Sequence, residues 1–276
     1  MPANTGMTGR IGELFSSTGS LAATCGVDYS PPVMKIAFSS DAGLSRPKAV
    51  EYVRSLKAQN PRLKVVDIGG AANPWSADVA DAYVDMRPVP GLRTLTGDIH
   101  DPGLWREIKS EGFDFCICSH TLEDIRDPLF VLAQIRETFS HGYIAVPNKH
   151  VEFSHIESRR YVGYGHHRWI FTLAPHELRL IAKWPFASHF SPHRRALASF
   201  KASAAANAYR RLRGRKPGLS AVGPLPWWRR DLAGPNNELA FIWEGPLEFR
   251  VINADYAGES VLALARLYRD ELASGL

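Results

Sequence analysis

Between Leu63 and Val146 the chain repeats one pattern: a short apolar run, a turn, and a stretch with helical spacing. The runs are Leu63–Ile68, Ala82–Met86, Leu92–Leu95, Phe113–Cys118 and Tyr143–Val146, each four to six residues long. Largely apolar runs of this length suit parallel strands covered on both faces. Helices are predicted over Arg46–Lys57, Ser76–Asp81, Leu104–Lys109 and Pro128–Phe139. The first has Ser45 as N-cap and Pro47 in its opening turn, where a missing N–H costs little. Strands alternating with helices imply right-handed crossovers and a doubly wound α/β sheet. Late in the chain, Leu239–Trp243 and Leu247–Asn253 flank Gly245-Pro246 and read as an antiparallel hairpin.

The chain has 276 residues, 45% of them hydrophobic, enough for one large α/β domain with insertions. Residues 1–45, rich in Ser, Gly, Ala, Thr and Pro, read as a poorly structured leader, with Met34 a candidate natural start. The domain is expected over 46–276, with acceptor-side insertions at about 148–172 and 190–235. Leu21-Ala22-Ala23-Thr24-Cys25 faintly resembles a lipoprotein cleavage site but lacks a solid apolar stretch before it. No run approaches the roughly 20 apolar residues of a membrane span. Three cysteines, an odd and sparse count, read as reduced thiols, and a cytoplasmic location is expected.

The most informative segment is Val65-Val66-Asp67-Ile68-Gly69-Gly70-Ala71-Ala72-Asn73-Pro74. A buried strand ending in small residues lets the backbone turn tightly and approach a ligand. In open α/β sheets, ligands bind outside the carboxyl ends of the strands. The later strand ends carry matching groups. Asp85 closes the second strand, about 20 residues after the glycine turn, where a carboxylate can accept from a ribose diol. Asp98 follows the third, where it could accept from an exocyclic amine, and the fourth runs into the polar Ser119-His120-Thr121-Leu122-Glu123-Asp124.

With these residues in place, the stretch from about 63 to 147 resembles the class I S-adenosylmethionine-dependent methyltransferases of the type-11-like group. Phe113 through Ile125, completed by Asp127-Pro128, is similar to that family's acidic stretch after the fourth strand. The resemblance implies a Rossmann-like fold and S-adenosyl-L-methionine as cofactor. It implies that Asp67 and Gly69 hold the methionine portion, Asp85 the ribose, and Asp98 and Ile99 the adenine, with Ala71 and Met86 also among the cofactor-binding residues. Ser119 and His120 would line the floor near the sulfonium. The family's G-x-G-x-G loop is replaced by Gly69-Gly70-Ala71-Ala72-Asn73, and Asn73-Pro74 reshapes the turn. That departure keeps a non-catalytic cofactor-binding module as an alternative. A nicotinamide-dependent oxidoreductase is a second one, but its G-x-G-x-x-G would put Pro74 at the third glycine.

After Pro147 and Asn148, the polar and aromatic residues Glu152, His155, Glu157, Tyr161, Tyr164, His166, His167, Arg168 and Trp169 crowd together with little periodicity. Loops after strand ends carry function in such folds, so Glu152, Tyr164, Arg168 and Trp169 are expected to bind a small or glycan-like acceptor. Gly163 through Phe171 is also similar to a segment of methyltransferases linked to surface-polysaccharide synthesis. O-methylation would require a general base, for which His120, His166 and His167 are the candidates. No metal is expected, because adjacent His166 and His167 do not readily point at one ion and hard cations favour carboxylates.

Between Leu178 and Arg230 stand twelve Lys or Arg and no Asp or Glu. The net charge of +5 therefore resides in that segment. Residues 194–230, ending in Pro226-Trp227-Trp228-Arg229-Arg230, are expected to allow peripheral contact with an anionic membrane, at its inner face. Nucleic acid is a less favoured partner, since no N-P-P-Y-type motif follows the fifth strand.

Overall fold

The structure, a computed structural model, describes residues 33–40, 45–153, 161–183, 238–252 and 266–271. The basic 194–230 segment, residues 21–25, and His155 and Glu157 lie outside the described residues. The predicted runs form parallel strands β2 (Val65–Ile68), β3 (Ala82–Asp85), β4 (Thr94–Thr96), β5 (Phe115–Ser119) and β6 (His141–Pro147). With β1 (Lys35–Ser40) and β9 (Glu238–Glu244) they make a seven-stranded sheet in the order β1-β9-β6-β5-β2-β3-β4. From β2 the chain moves outward to β3 and β4, then returns to β5 on the other side of β2. Such a reversal leaves a crevice at the carboxyl ends of the two diverging strands.

Successive side chains point to opposite faces of a strand, so each apolar run feeds two cores. Val66, Ile68, Cys116, Cys118, Ile144 and Val146 pack with α2 (Pro102–Glu111) and α3 (Pro128–Thr138). Val65, Phe115, Ile117, Tyr143 and Ala145 face the other way, onto Ala49 and Val53 of α1 (Ser45–Gln59). Both helices of the first face open on an Asp-Pro pair. Asp101 accepts from the Gly103 amide and Asp127 from those of Leu129 and Phe130, satisfying N–H groups that a helix start leaves orphaned.

The structure departs from the sequence reading in several elements. Ser76–Asp81 forms turns, not a helix. The Ser76 hydroxyl is held by Asp67, and the Asp81 carboxylate accepts from the Val65 amide and pairs with Lys57. A six-residue segment gains too little from helix propagation to outweigh those contacts. The stretch read as leader supplies β1, which pairs antiparallel with β9, and Met34 is buried in the core.

The two late strands do not form a hairpin with each other. β9 inserts antiparallel between β6 and β1, where five of its residues are buried. After Gly245, at φ +85°, the chain turns away, and β10 (Phe249–Val251) pairs parallel with β8 (Glu177–Ala182). β8 in turn pairs antiparallel with β7 (Trp169–Ala174). The stretch read as irregular thus contains α4 (Lys149–Glu152) and the first strand of a second, three-stranded sheet. Among the described residues no helix is long and apolar enough to cross a membrane.

Candidate functional site

The crevice at the switch point is a cleft of about 410 Å³, within the usual range for small-ligand sites. Gly69, Val84, Asp85, Met86, Gly97 and Ile99 line one part of it, and His120, Thr121, Asp124 and Ile125 the other. Gly69 holds φ +80°, and a Cβ there would collide with the Thr121 side chain. Only glycine fits this turn while the Thr121 hydroxyl donates to the Ile68 carbonyl at 3.1 Å. Met86 is 64% exposed, an unusual placement for a large apolar side chain and suited to covering a planar ring.

Of the residues expected at a cofactor, Gly69, Asp85, Met86, Ile99 and His120 line the cleft; Asp67, Ala71, Asp98 and Ser119 do not. Asp67 lies fully buried beneath the loop, accepting from Ser76 at 2.5 Å. A Cβ on Gly70 would strike its carboxylate, so the turn is wrapped directly over this acid. Burial raises the Asp67 pKa to about 7, against the lowering effects of Ser76 and Arg46. Ala71 and Ser119 are buried. Asp98 has a local role: its Oδ1 accepts from the His100 amide at 2.9 Å and meets the His100 ring at 2.8 Å, and these bonds lower its pKa.

A second cavity of about 170 Å³ adjoins the first and shares His120 and Asp124 with it. Its other walls are Glu123, Pro147, Val151, Tyr164, His166 and His167. His120 stands between the two at φ 53°, in the left-handed region that costs a non-glycine residue about 1–3 kcal/mol. Its ring is clamped at both ends, Nδ1 to Glu123 Oε1 at 3.0 Å and Nε2 to Glu238 Oε1 at 2.8 Å. Burial lowers its pKa, but the two carboxylates outweigh it and lift His120 to about 9.

His167 is held in a similar way. Its Nδ1 meets buried Glu152 at 2.6 Å, its Nε2 meets Asp124 at 3.3 Å, and Lys183 caps the other Glu152 oxygen at 2.7 Å. Burial again lowers the pKa, while Asp124 and Glu152 raise it to about 9. The hydrogen bond from His167 holds the Asp124 pKa down.

The acceptor-side expectations divide accordingly. Tyr164 lines the cavity, its ring 4.6 Å from that of His167. Glu152 is buried and supports His167 rather than facing a ligand. Trp169 packs against the main core at the start of β7, where strand alternation turns it inward. Arg168 is exposed and outside the lining, and its backbone pairs with Lys183. The expectation that His166 and His167 diverge does not hold. Their rings stand at 78° to each other, and both Nε2 atoms lie 3.3 Å from Asp124 Oδ1.

Sequence reasoning missed Glu238, Arg46 and Lys183. Arg46 lies 3.8 Å from Glu238 and stacks over Trp75 at 5.5 Å. The signal for Glu238 was faint: an acid opening a strand whose five inner residues are apolar.

No protein-family model and no curated protein matches the chain. Among solved structures it is similar to the plantazolicin methyltransferase BpumL, in complex with a triazolic desmethylPZN analog and SAH. There the identity is 12% and the TM-score 0.34, with 74% of this chain and 86% of that one covered. A SAM-dependent methyltransferase from Anabaena variabilis shares 14% identity at a TM-score of 0.30, over 44% of this chain. In that comparison the chain spans little more than half, 56%, of the other's length. An S-adenosylmethionine-dependent methyltransferase from Mesorhizobium loti shares 13% identity at a TM-score of 0.29, covering 72% of this chain and 99% of that one. At these values the likeness assigns no residue and no substrate.

Proposed function

We propose that this chain is an S-adenosylmethionine-dependent methyltransferase that O-methylates a small or glycan-like acceptor. The observation that carries the reading is the pair of joined cavities, a strand-end cleft with Asp85 and Gly69 opening at His120 and Asp124 into a polar, aromatic one. In this reading Asp85 accepts from the ribose diol, Met86 and Ile99 flank the adenine, and the Gly69 turn passes under the methionine portion. The acceptor then occupies the smaller cavity against Tyr164 and His166.

Methyl transfer is an in-line displacement. An acceptor oxygen lone pair forms the new bond to the methyl carbon while the carbon–sulfur pair returns to sulfur, so positioning supplies most of the acceleration. His120 and His167, lifted to about 9, are cations at neutral pH and act as fixed charges and hydrogen-bond donors. Asp124 and His166, at the exposed edge, are the groups to which a hydroxyl proton can pass.

The test is calorimetric titration with S-adenosylhomocysteine, repeated on Asp85→Ala and with NADH as control. The wild type should bind at micromolar Kd, and the variant about 10–100-fold more weakly, the loss expected for charge-assisted hydrogen bonds. Absence of S-adenosylhomocysteine binding, or equal binding of NADH, would overturn the reading. Transfer of labelled methyl to a panel of sugars then tests the acceptor class.

A further inference from the structure

From the convergence of Asp124, His166 and His167 we infer that the smaller cavity is a binding site for a divalent transition-metal ion of the zinc class. One ligand atom from each of these residues lies within 4.8 Å of the others. Both histidine Nε2 atoms stand 3.3 Å from Asp124 Oδ1. Bonds of about 2.0–2.1 Å at a tetrahedral angle put neighbouring ligand atoms about 3.3 Å apart. His166, 59% exposed at its side chain, has room to turn inward and close the third edge.

Two features point to a ligand beyond the cluster itself. Glu152 orients His167: with Nδ1 bonded to a buried carboxylate, Nε2 faces Asp124, and an ion would take the place of the Nε2 proton. A carboxylate behind a histidine is the usual outer support of a metal ligand, and here Lys183 holds that carboxylate in turn. Glu123 also lines the cavity. Its side chain is 2% exposed, and its Oε2 has no hydrogen-bond partner among the described residues. A buried, unpaired carboxylate oxygen is costly unless a cation approaches it.

Two imidazole nitrogens and a carboxylate favour zinc-class ions over magnesium or calcium, which prefer all-oxygen sites. Three protein ligands leave a position open for water or a hydroxyl, whose proton the ion would loosen; with the ion bound, Asp124 and His166 serve as ligands and not as proton acceptors. The site does not rest on the methyltransferase reading, because the ion's ligands are present whatever occupies the larger cleft.

The experiment is titration of the tag-free protein with Zn²⁺ by calorimetry and with Co²⁺ by visible absorption, with Mg²⁺ as comparison. One equivalent of Zn²⁺ should bind, Co²⁺ should develop ligand-field bands, and Mg²⁺ should give neither. His166→Ala and Asp124→Asn alter half-exposed groups, so the fold is kept, and each should remove the Co²⁺ bands. Glu152→Gln, acting through His167, should weaken Zn²⁺ by about 10–100-fold, while His176→Gln, away from the cavity, should change nothing. Absence of stoichiometric binding, or binding unchanged in both His166→Ala and Asp124→Asn, would overturn the site.

Discussion

Along the large cleft most lining residues sit at a strand end or in the turn after it, whereas the smaller cavity collects side chains from distant parts of the chain. Gly69, Asp85 and Gly97 each follow or close the strand that positions them. In the cavity, His120 is clamped by a carboxylate 118 residues away, and His167 by one 15 residues back that Lys183 holds in turn. The cleft is shaped by backbone, through a left-handed glycine and close packing; the cavity is shaped by charge. The two halves should therefore fail in different ways. Backbone sites fail by strain, and charged sites by leaving a partner uncompensated.

The largest effect is expected on the charged side. Glu152→Ala strands Lys183, whose side chain is 3% exposed, and removes the support of His167. Breaking such a buried pair costs about 3–5 kcal/mol, which urea unfolding at pH 7 would measure. A loss below 1 kcal/mol would mean that solvent reaches this cluster and that the contrast between the halves is smaller than argued.

Next comes the backbone side. Gly69→Ala forces a left-handed non-glycine residue, costing about 1–3 kcal/mol, and pushes its Cβ against Thr121. Gly69→Ala/Thr121→Ser should restore only part of this stability, because it relieves part of the contact and leaves the φ strain. Full rescue would show that packing, not backbone conformation, shapes the turn.

The smallest effect, taken per pH unit, is in pH dependence, where the two halves should separate cleanly. Asp67 is lifted from its ordinary 3.8 to about 7, so the folded state holds its proton more tightly and stability falls as pH rises between those values. His120 and His167 are lifted from 6.5 to about 9, so their contribution is complete below 6.5 and is lost as pH rises to about 9. Each group contributes at most about 1.4 kcal/mol per pH unit. Asp67→Asn should remove the lower leg and His167→Gln part of the upper one, read by denaturant unfolding across pH. If both variants changed the same leg, the division between the two regions would not stand.

What the sequence by itself determined is mostly local. Apolar runs of four to six residues, Asp-Pro caps and the small-residue turn at Gly69 specify strands, helix starts and a ligand-facing crevice, because each signal lies within a few residues of its structural consequence. Asp85 and Met86 were legible for the same reason: they close a readable strand. Only the tertiary structure decided which strands became neighbours. Leu239–Trp243 reads as half of a hairpin, but the slot between β6 and β1 takes it as an inner strand. Strand periodicity encodes which face a side chain takes but not which strand lies beside it. For that reason Glu238 reached His120, Arg46 reached Glu238, and two adjacent histidines turned toward a single aspartate only once the chain had folded.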